Sequence, residues 1–526
     1  MTKSWWEINA VYQIYPRSFK DTNADGIGDL KGITEKLDYV VGTLGVEAIW
    51  LSPFYPSPQT DCGYDVSDYF GIDPLFGTMA DFDELLTQAH EKGLKVMIDL
   101  VPNHTSDQHP WFQESRSSRD NPKRDWYVWR DQPNNWQSLS GGSSWAFDEV
   151  TGQHYLHSFL SSQPDLNWEN PAVRDAIKDV MRFWLSKGVD GFRVDAVWAL
   201  SKDPNFADDS TNESYNHPDE YGGYIHAACK NGPRLSEYLR ELSGVVAEYS
   251  DAYLLFEYYP DPMLGEENEQ LAALHGVDPS HAAPFYFGGL HQPWHAERFG
   301  RVITEYLSNV PAGSRPIFCF SNHDQPRLIS RFGQEQARLI ALMQMTLPGL
   351  PVMYYGDEIG MENVMIPLEL TKDKFEKTGD SGGRDSERTP MQWNDALLGG
   401  FSEERPWLPL SADIIQRNVA HEITDPDSWL NLYRKLLEHR HDPVLRAGSF
   451  EVVPADSGYV LVYKRSLEGK TYYVVLNFAD AMQIISLPEP VSGITVMTHP
   501  WGTLIREDGR VTLQGFGAAL LIATSD

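Results

Sequence analysis

Cysteine is scarce in this chain. Cys62, Cys229 and Cys319 are the only three in 526 residues, and their wide separation makes neither a disulfide framework nor a metal-binding spacing. Positive charge is also short: 43 Lys and Arg stand against 75 Asp and Glu, a net charge of −32. A nucleic-acid partner needs a basic surface, so that class is excluded. The acid excess names no charged substrate; it makes an acidic surface. No run of about 18 apolar residues predicts a membrane span. The opening MTKSWWEINAVYQIYP lacks an apolar signal core, which predicts a cytoplasmic protein. Also missing are a glycine-rich phosphate loop after the first strand-like segment, a Gly-x-Ser-x-Gly elbow and a His-Glu-x-x-His helix. No organic cofactor is therefore expected. What is plentiful is aromatic surface: 16 Trp, 25 Tyr and 23 Phe supply a core and flat faces on which sugar rings can stack.

The most informative stretch is Val189-Asp190-Gly191-Phe192-Arg193-Val194-Asp195. It follows an amphipathic helix (Val173, Ile177, Val180, Met181, Trp184 and Leu185 at helical spacing) that stops at Gly188. Alternation on a strand puts Phe192 and Val194 on one face, Arg193 and Asp195 on the other. A carboxylate at the C-terminal end of a buried strand reads as catalytic; the alternative is a structural ion pair. The same pattern of helix, glycine cap and buried strand recurs at Gly45 and Gly93. The first strand is expected within Ile8–Tyr15, and others at 46–52, 94–100 and 189–195. Later candidates are 252–256, 283–287, 316–321 and 351–355. Eight strand segments predict a (β/α)8 barrel, with a doubly wound open sheet as runner-up.

The third and fourth strands are too far apart for one helix. The expected organisation is a barrel from 1–103 and 171–445, a small irregular insertion at 104–170, and a C-terminal antiparallel β domain at 446–526, sandwich-like in pattern. The loops Ser201–Arg234 and Asp357–Trp407 are long enough to read as functional. Between the first strand and a helix expected over Leu30–Leu44 lies Asp21-Thr22-Asn23-Ala24-Asp25-Gly26-Ile27-Gly28-Asp29. Its alternating oxygen side chains suit a hard cation or, equally, a solvated Asx-rich turn. Gly32 stands where an EF-hand would carry Glu, so this is not an EF-hand.

Polar residues gather at predicted strand ends: Asn103 and His104, Arg193 and Asp195, Glu257, then His323 and Asp324. Three acids, two histidines and an arginine from four strand ends suit glycoside hydrolysis, in which one carboxyl attacks or stabilises the sugar and another protonates the leaving oxygen. The segments carrying these residues are Asp99-Leu100-Val101-Pro102-Asn103-His104, Gly191-Phe192-Arg193-Val194-Asp195, Phe256-Glu257 and Ser321-Asn322-His323-Asp324-Gln325-Pro326-Arg327. With them go Gly63-Tyr64-Asp65-Val66-Ser67-Asp68-Tyr69, Gln163-Pro164-Asp165-Leu166-Asn167-Trp168 and Arg388-Thr389-Pro390-Met391-Gln392-Trp393. In this order they resemble the α-amylase superfamily, glycoside hydrolase family 13, and within it the oligo-1,6-glucosidase and α-glucosidase group.

That resemblance implies a nucleophile at Asp195, a general acid/base at Glu257 and a sugar-holding carboxylate at Asp324. Arg193 would keep Asp195 ionised. His104 and His323 resemble the family's sugar-hydroxyl donors. Asp65 with Arg388 resembles the pair that closes the far end of the glucose site, Arg384 being the alternative to Arg388. Tyr64 and Phe147 are expected as walls of the site, or Phe147 as core. The metal loop is expected to hold a structural Ca²⁺ or Mg²⁺ through Asp21, Asn23, Asp25, Ile27 (backbone) and Asp29. Ala196 after the nucleophile favours α-1,4 over α-1,6 links, and Tyr258 is expected beside the leaving group. The implied protein is a retaining exo-α-glucosidase acting on a small α-glucoside or oligosaccharide, a monomer or weak homodimer. The alternatives are a transglucosylase, a sucrose- or trehalose-converting relative, and a non-catalytic transporter-associated relative.

Overall fold

The computed structural model describes residues 5, 7–217, 221–249, 251–259, 267–289, 292–374, 383–499 and 502–524. Eight strands close into a parallel barrel: β1 Val11–Ile14, β2 Ala48–Leu51, β3 Lys95–Leu100, β4 Gly191–Val194, β5 Tyr253–Phe256, β6 Ala282–Tyr286, β7 Ile317–Cys319 and β8 Leu350–Tyr354. β1 pairs with both β2 and β8, which closes the ring. All eight expected segments are strands of this barrel, and the open-sheet alternative falls.

The helix before β4 shows how local sequence builds each unit. It runs Pro171–Lys187, Asn170 accepting from Ala172 N at its start and Gly188 ending it at φ 106. That left-handed conformation costs glycine nothing and any other residue strain. The buried face is Val173, Ile177, Val180, Met181, Trp184 and Leu185, the six residues expected. Each such large apolar side chain contributes about 1.5–3 kcal/mol when buried. The helix expected over Leu30–Leu44 is divided instead. An α-helix spans Leu30–Glu35, and a wider π turn spans Tyr39–Leu44. Tyr39 is turned inward there, and its hydroxyl donates to buried Glu358 at 2.8 Å.

Strand alternation splits the apolar residues into two layers. Phe192, Val194, Leu254 and Phe256 join the core between barrel and helices. Val11, Ala48, Trp50, Met97, Leu255, Phe285, Ile317 and Val352 fill the barrel interior. Above that plug the inward positions become polar: register places Asp99 level with Arg193 on the neighbouring strand, and both are buried. This is the C-terminal end of the barrel, where the βα loops meet.

Between β3 and β4 the chain makes a helix, Pro110–Ser117, and a three-stranded antiparallel sheet in the order Trp129–Arg130, Gln153–Leu156, Trp145–Asp148. After the barrel, a five-stranded antiparallel sheet runs Ser449–Val453, Val460–Leu467, Lys470–Asn477, Ala518–Ala523, Val491–Met497, beside a three-stranded one of Gln483–Ile485, Val511–Leu513 and Thr503–Ile505. Gly382, Pro260 and much of the charged helix-like part of the Asp357–Trp407 loop lie outside the described residues. Among the described residues no helix is long and apolar enough to cross a membrane.

Candidate active site

A cavity of about 390 Å³ opens at the C-terminal end of the barrel. Its lining includes Asp61, Tyr64, His104, Phe159, Asp195, Ala196, Trp198, Tyr221, Glu257, Tyr259, Asp324 and Arg384. The three acids singled out in the sequence thus meet in one place, from the ends of β4, β5 and β7.

Arg193 organises the floor. Its Nη1 donates to Asp195 Oδ1 at 2.6 Å and Asp99 Oδ1 at 2.7 Å, and its Nη2 lies 2.7 Å from Glu257 Oε1. Trp50 and Tyr64 hold the other groups, each donating to Asp99 Oδ2, at 3.1 and 3.2 Å. Glu257 Oε2 accepts the Ala196 N–H at 2.7 Å. That N–H is aimed by an unusual backbone: Ala196 sits at φ 43, ψ 45, a conformation sparsely used by non-glycine residues and strained for a β-branched one.

Burial dominates the protonation of these acids. It pushes Glu257 up to about 8, against Arg193 and with Asp195 and Asp324 adding to the rise. Burial also pushes Asp195 up to about 7, again against Arg193, with Asp99 and Asp324 adding. Arg193 favours the ionised form of Asp195, as expected, but one guanidinium shared by three carboxylates works against a large loss of water. The order still matters, because Asp195 loses its proton before Glu257. For Asp324 burial is overcome by the Arg384 and Arg388 guanidiniums, which hold it well below the usual carboxylate range. His104 and His323 are lowered by burial and are neutral at pH 7.

The far wall differs from expectation. Asp65 does not meet Arg388; its carboxylate accepts from Ser57 Oγ, Thr60 N and Asp61 N at 2.8–3.0 Å and ties off its own turn. The acid facing the cavity is Asp61, and its partner is Arg384, with Nη2 to Asp61 Oδ1 at 2.6 Å. Arg384 also contacts Asp324 at 2.9 Å and Asp373 at 2.9 Å. Arg388 is fully buried behind this row, donating to Asp324 Oδ1 and the His323 carbonyl, each at 2.8 Å. The turn around Tyr64 needs one acid to cap it and one to face out. Sequence adjacency to Gly63-Tyr64 does not say which does which.

Two aromatic assignments also change. Phe147 is 57% exposed at the outer end of an edge strand, against His154, and is no wall of the cavity. That place is taken by Phe159, whose ring lies 5.0 Å from His104 and 5.6 Å from Trp198. Tyr258 is buried and donates to Gln270 Oε1, while Tyr259 faces the cavity and stacks on Phe287 at 4.5 Å. Tyr64 stands where expected. It is stacked on His323 at 5.2 Å, with its hydroxyl 2.5 Å from His323 Nε2. Gln163, from the Gln-Pro-Asp motif, donates to Asp61 Oδ2 at 2.9 Å and lies 3.2 Å from His104 Nε2.

The loop 21–29 wraps in successive turns. Asp21 accepts from Asn23, Ala24 and Gly26 N and from Ser402 Oγ; Asn23 Oδ1 accepts from Asp25 N, and Asp25 Oδ1 from Ile27 N. Asp29 caps the following helix at Gly32 N and accepts from Thr22 N. These are the bonds of successive Asx turns, and the three loop carboxylates do not form a convergent cluster among the described residues.

The family model described as alpha amylase, catalytic domain, matches residues 13–448. The chain is 38% identical to the oligo-1,6-glucosidase of Parageobacillus thermoglucosidasius over 93% of each chain. It is 41% identical to a probable alpha-glucosidase of Rhizobium meliloti (strain 1021), again over 93% of each. Among solved structures, the alpha-glucosyl transfer enzyme XgtA superposes with a TM-score of 0.92 at 36% identity, over 99% of this chain and 100% of that one. A closed parallel barrel, carboxylates converging at its C-terminal end and a match over most of the length agree: the chain belongs to the α-amylase family of glycoside hydrolases.

Proposed function

We propose that the protein is a retaining, exo-acting α-glucosidase, working in the cytoplasm as a monomer or weak homodimer. It releases terminal non-reducing α-linked glucose, α-1,4 before α-1,6, from short oligosaccharides and α-glucosides. The observation that carries this reading is the pairing of two carboxyls on one guanidinium, Asp195–Arg193–Glu257, under a wall closed by Asp61, Arg384 and Asp324. Carboxyls that close suit the roughly 5–5.5 Å spacing of retaining enzymes better than the roughly 6.5–9.5 Å that admits a water. Asp195 attacks the anomeric carbon as Glu257 gives its proton to the departing oxygen, leaving a glucosyl ester. Glu257, now a carboxylate, takes a proton from the water that attacks the same carbon, and Asp195 departs. Asp324, His104 and the Asp61–Arg384 pair hold the hydroxyls of the single glucose the closed end admits. The small Ala196 in the cavity lining supports the α-1,4 preference.

Proton NMR of maltose hydrolysis tests this. α-Glucose should appear first, with isomaltose turned over more slowly; β-glucose appearing first would refute retention. A second reading, transfer of glucose to an acceptor other than water, is favoured by the aromatic mouth of Phe159, Trp198 and Tyr259. New glucosyl linkages building up ahead of free glucose would establish it.

The protonation order sets the pH dependence. Activity needs Asp195 ionised and Glu257 protonated. It falls on the acid side as Asp195 gains its proton near pH about 7, and on the alkaline side as Glu257 loses its own near about 8. The kcat/KM profile is therefore expected to be a narrow bell peaking between those values, reporting the coupled pair. A flat profile, or an optimum near pH 5, would contradict it.

The 21–29 loop is proposed to hold a structural Ca²⁺ or Mg²⁺ through Asp21, Asn23, Asp25, the Ile27 carbonyl and Asp29. A cation at about 100 times its Kd would stabilise the fold by about 2.7 kcal/mol. Chelation should lower Tm, and Ca²⁺ or Mg²⁺, but not zinc alone, should restore it. A melting curve indifferent to both would remove the proposal.

A further inference from the structure

The long segment after β4 carries a second cluster that the chemistry above does not use. One ligand atom each of Asp209, His226 and Cys229 lies within 4.8 Å of the other two. Asp209 Oδ2 and His226 Nδ1 are 3.4 Å apart, and Cys229 Sγ is 3.5 Å from the same nitrogen. His226 Nε2 faces the Tyr221 carbonyl at 2.8 Å. A carbonyl only accepts, so a proton sits on Nε2, and Nδ1 faces the carboxylate. Asp209 Oδ1 accepts the Ala228 N–H at 2.8 Å, while Oδ2 is buried without a strong donor, the weakly donating Cys229 thiol being its neighbour. Two electron-rich atoms held together out of water need a proton or a cation between them, and the Cys229 thiol proton, a weak donor, is all that the three side chains themselves supply.

We infer that Asp209 Oδ2, His226 Nδ1 and Cys229 Sγ form a zinc site whose fourth position is open to water. Tetrahedral zinc, with bonds of about 2.0 Å to N and O and about 2.3 Å to S, sets N···O edges of about 3.3 Å and N···S edges of about 3.5 Å. The observed 3.4 and 3.5 Å match two of the three edges, and the third, Asp209 Oδ2 to Cys229 Sγ, lies within 4.8 Å. The Nε2–H bond to a backbone carbonyl is the contact that usually orients a zinc-bound imidazole. A thiolate with an imidazole selects a borderline-soft ion over Ca²⁺ or Mg²⁺, which separates this site from the 21–29 loop.

The ligands are held in advance. Asp209 exchanges two backbone–amide hydrogen bonds with Asn135, both 2.8 Å. Partly exposed Cys229 leaves a way in. The site also reaches the sugar cavity: His226 stacks on Tyr221 at 3.7 Å, and Tyr221 lines the cavity. The ion would brace that wall, whatever the substrate.

The full-length protein, incubated with zinc and desalted, is expected to retain about one zinc per chain by mass spectrometry of metals. Cys229→Ser and Asp209→Asn should lose it while keeping the wild-type circular dichroism. Cobalt in place of zinc should give thiolate-to-cobalt charge-transfer absorbance in the wild type, a readout that does not depend on how the variants fold. Absence of that band, or zinc retention undiminished in Cys229→Ser, would overturn the site; doubly protonated His226 paired with Asp209 would then explain the cluster.

Discussion

Asp195→Asn is expected to lower kcat by about 10⁴-fold or more, a loss of roughly 5 kcal/mol of transition-state stabilisation. The amide keeps the shape of the side chain and its place at the end of β4 but cannot form the glucosyl ester. The fold should not suffer. Burial raises the Asp195 pKa to about 7 from a usual carboxylate value near 3.9. A carboxyl whose pKa is raised on folding costs stability as pH rises from the unfolded value toward the folded one, so at neutral pH removing the ionisable group should leave Tm unchanged or higher. Roles are separated by azide. Asp195→Ala with an aryl α-glucoside should yield β-glucosyl azide, because azide enters from the vacated nucleophile side. Glu257→Ala should yield the α-azide through the intact ester. Near-wild-type kcat in Asp195→Asn, or the azide products exchanged, would overturn the assignment.

Arg384→Ala is expected to reduce kcat/KM for maltose and for an aryl α-glucoside alike, by about 10²- to 10³-fold. Breaking a buried ion pair from one side costs about 3–5 kcal/mol, because the remaining charges are left in low dielectric. Here three carboxylates, Asp61, Asp324 and Asp373, would each lose a contact. The loss should be common to both substrates because it lies at the glucose they share. Asp61→Ala should fall similarly, and the double variant should fall by far less than the product of the two. Arg384→Lys should recover little, since an ammonium does not reproduce the guanidinium's planar fork of donors. Asp65→Asn should mainly lower Tm, since Asp65 caps a turn. If Asp65→Asn and Arg388→Lys lost glucose binding while Arg384→Ala did not, the wall would be the one first expected from the motifs.

Much of the fold was legible because it is written locally. Gly188 ends a helix whose six apolar positions recur at helical spacing, and β4 follows at once; both depend on a few adjacent residues. The same holds for the alternation that sends Arg193 inward and Phe192 outward. In the C-terminal region the strands Ser449–Val453, Val491–Met497 and Thr503–Ile505 are less legible. Their sequences are mixed and only partly buried, and they become strands by pairing with neighbouring strands.

The sequence by itself therefore determined the barrel, the strand ends that carry Asp195, Glu257 and Asp324, and the class of chemistry three such acids can perform. A strand's register and a helix's stop are short-range properties, and residues at strand ends inherit their direction from them. Only the tertiary structure decided which arginine stands at the cavity wall, which ring lines it and how far burial raises the carboxyls. Asp61 and Arg384 are 323 residues apart, and Phe159 supplants Phe147 by the way one edge strand runs. Protonation depends on how much water the whole assembly excludes. Those outcomes are set by long-range packing and by burial, which no short stretch of the chain encodes alone.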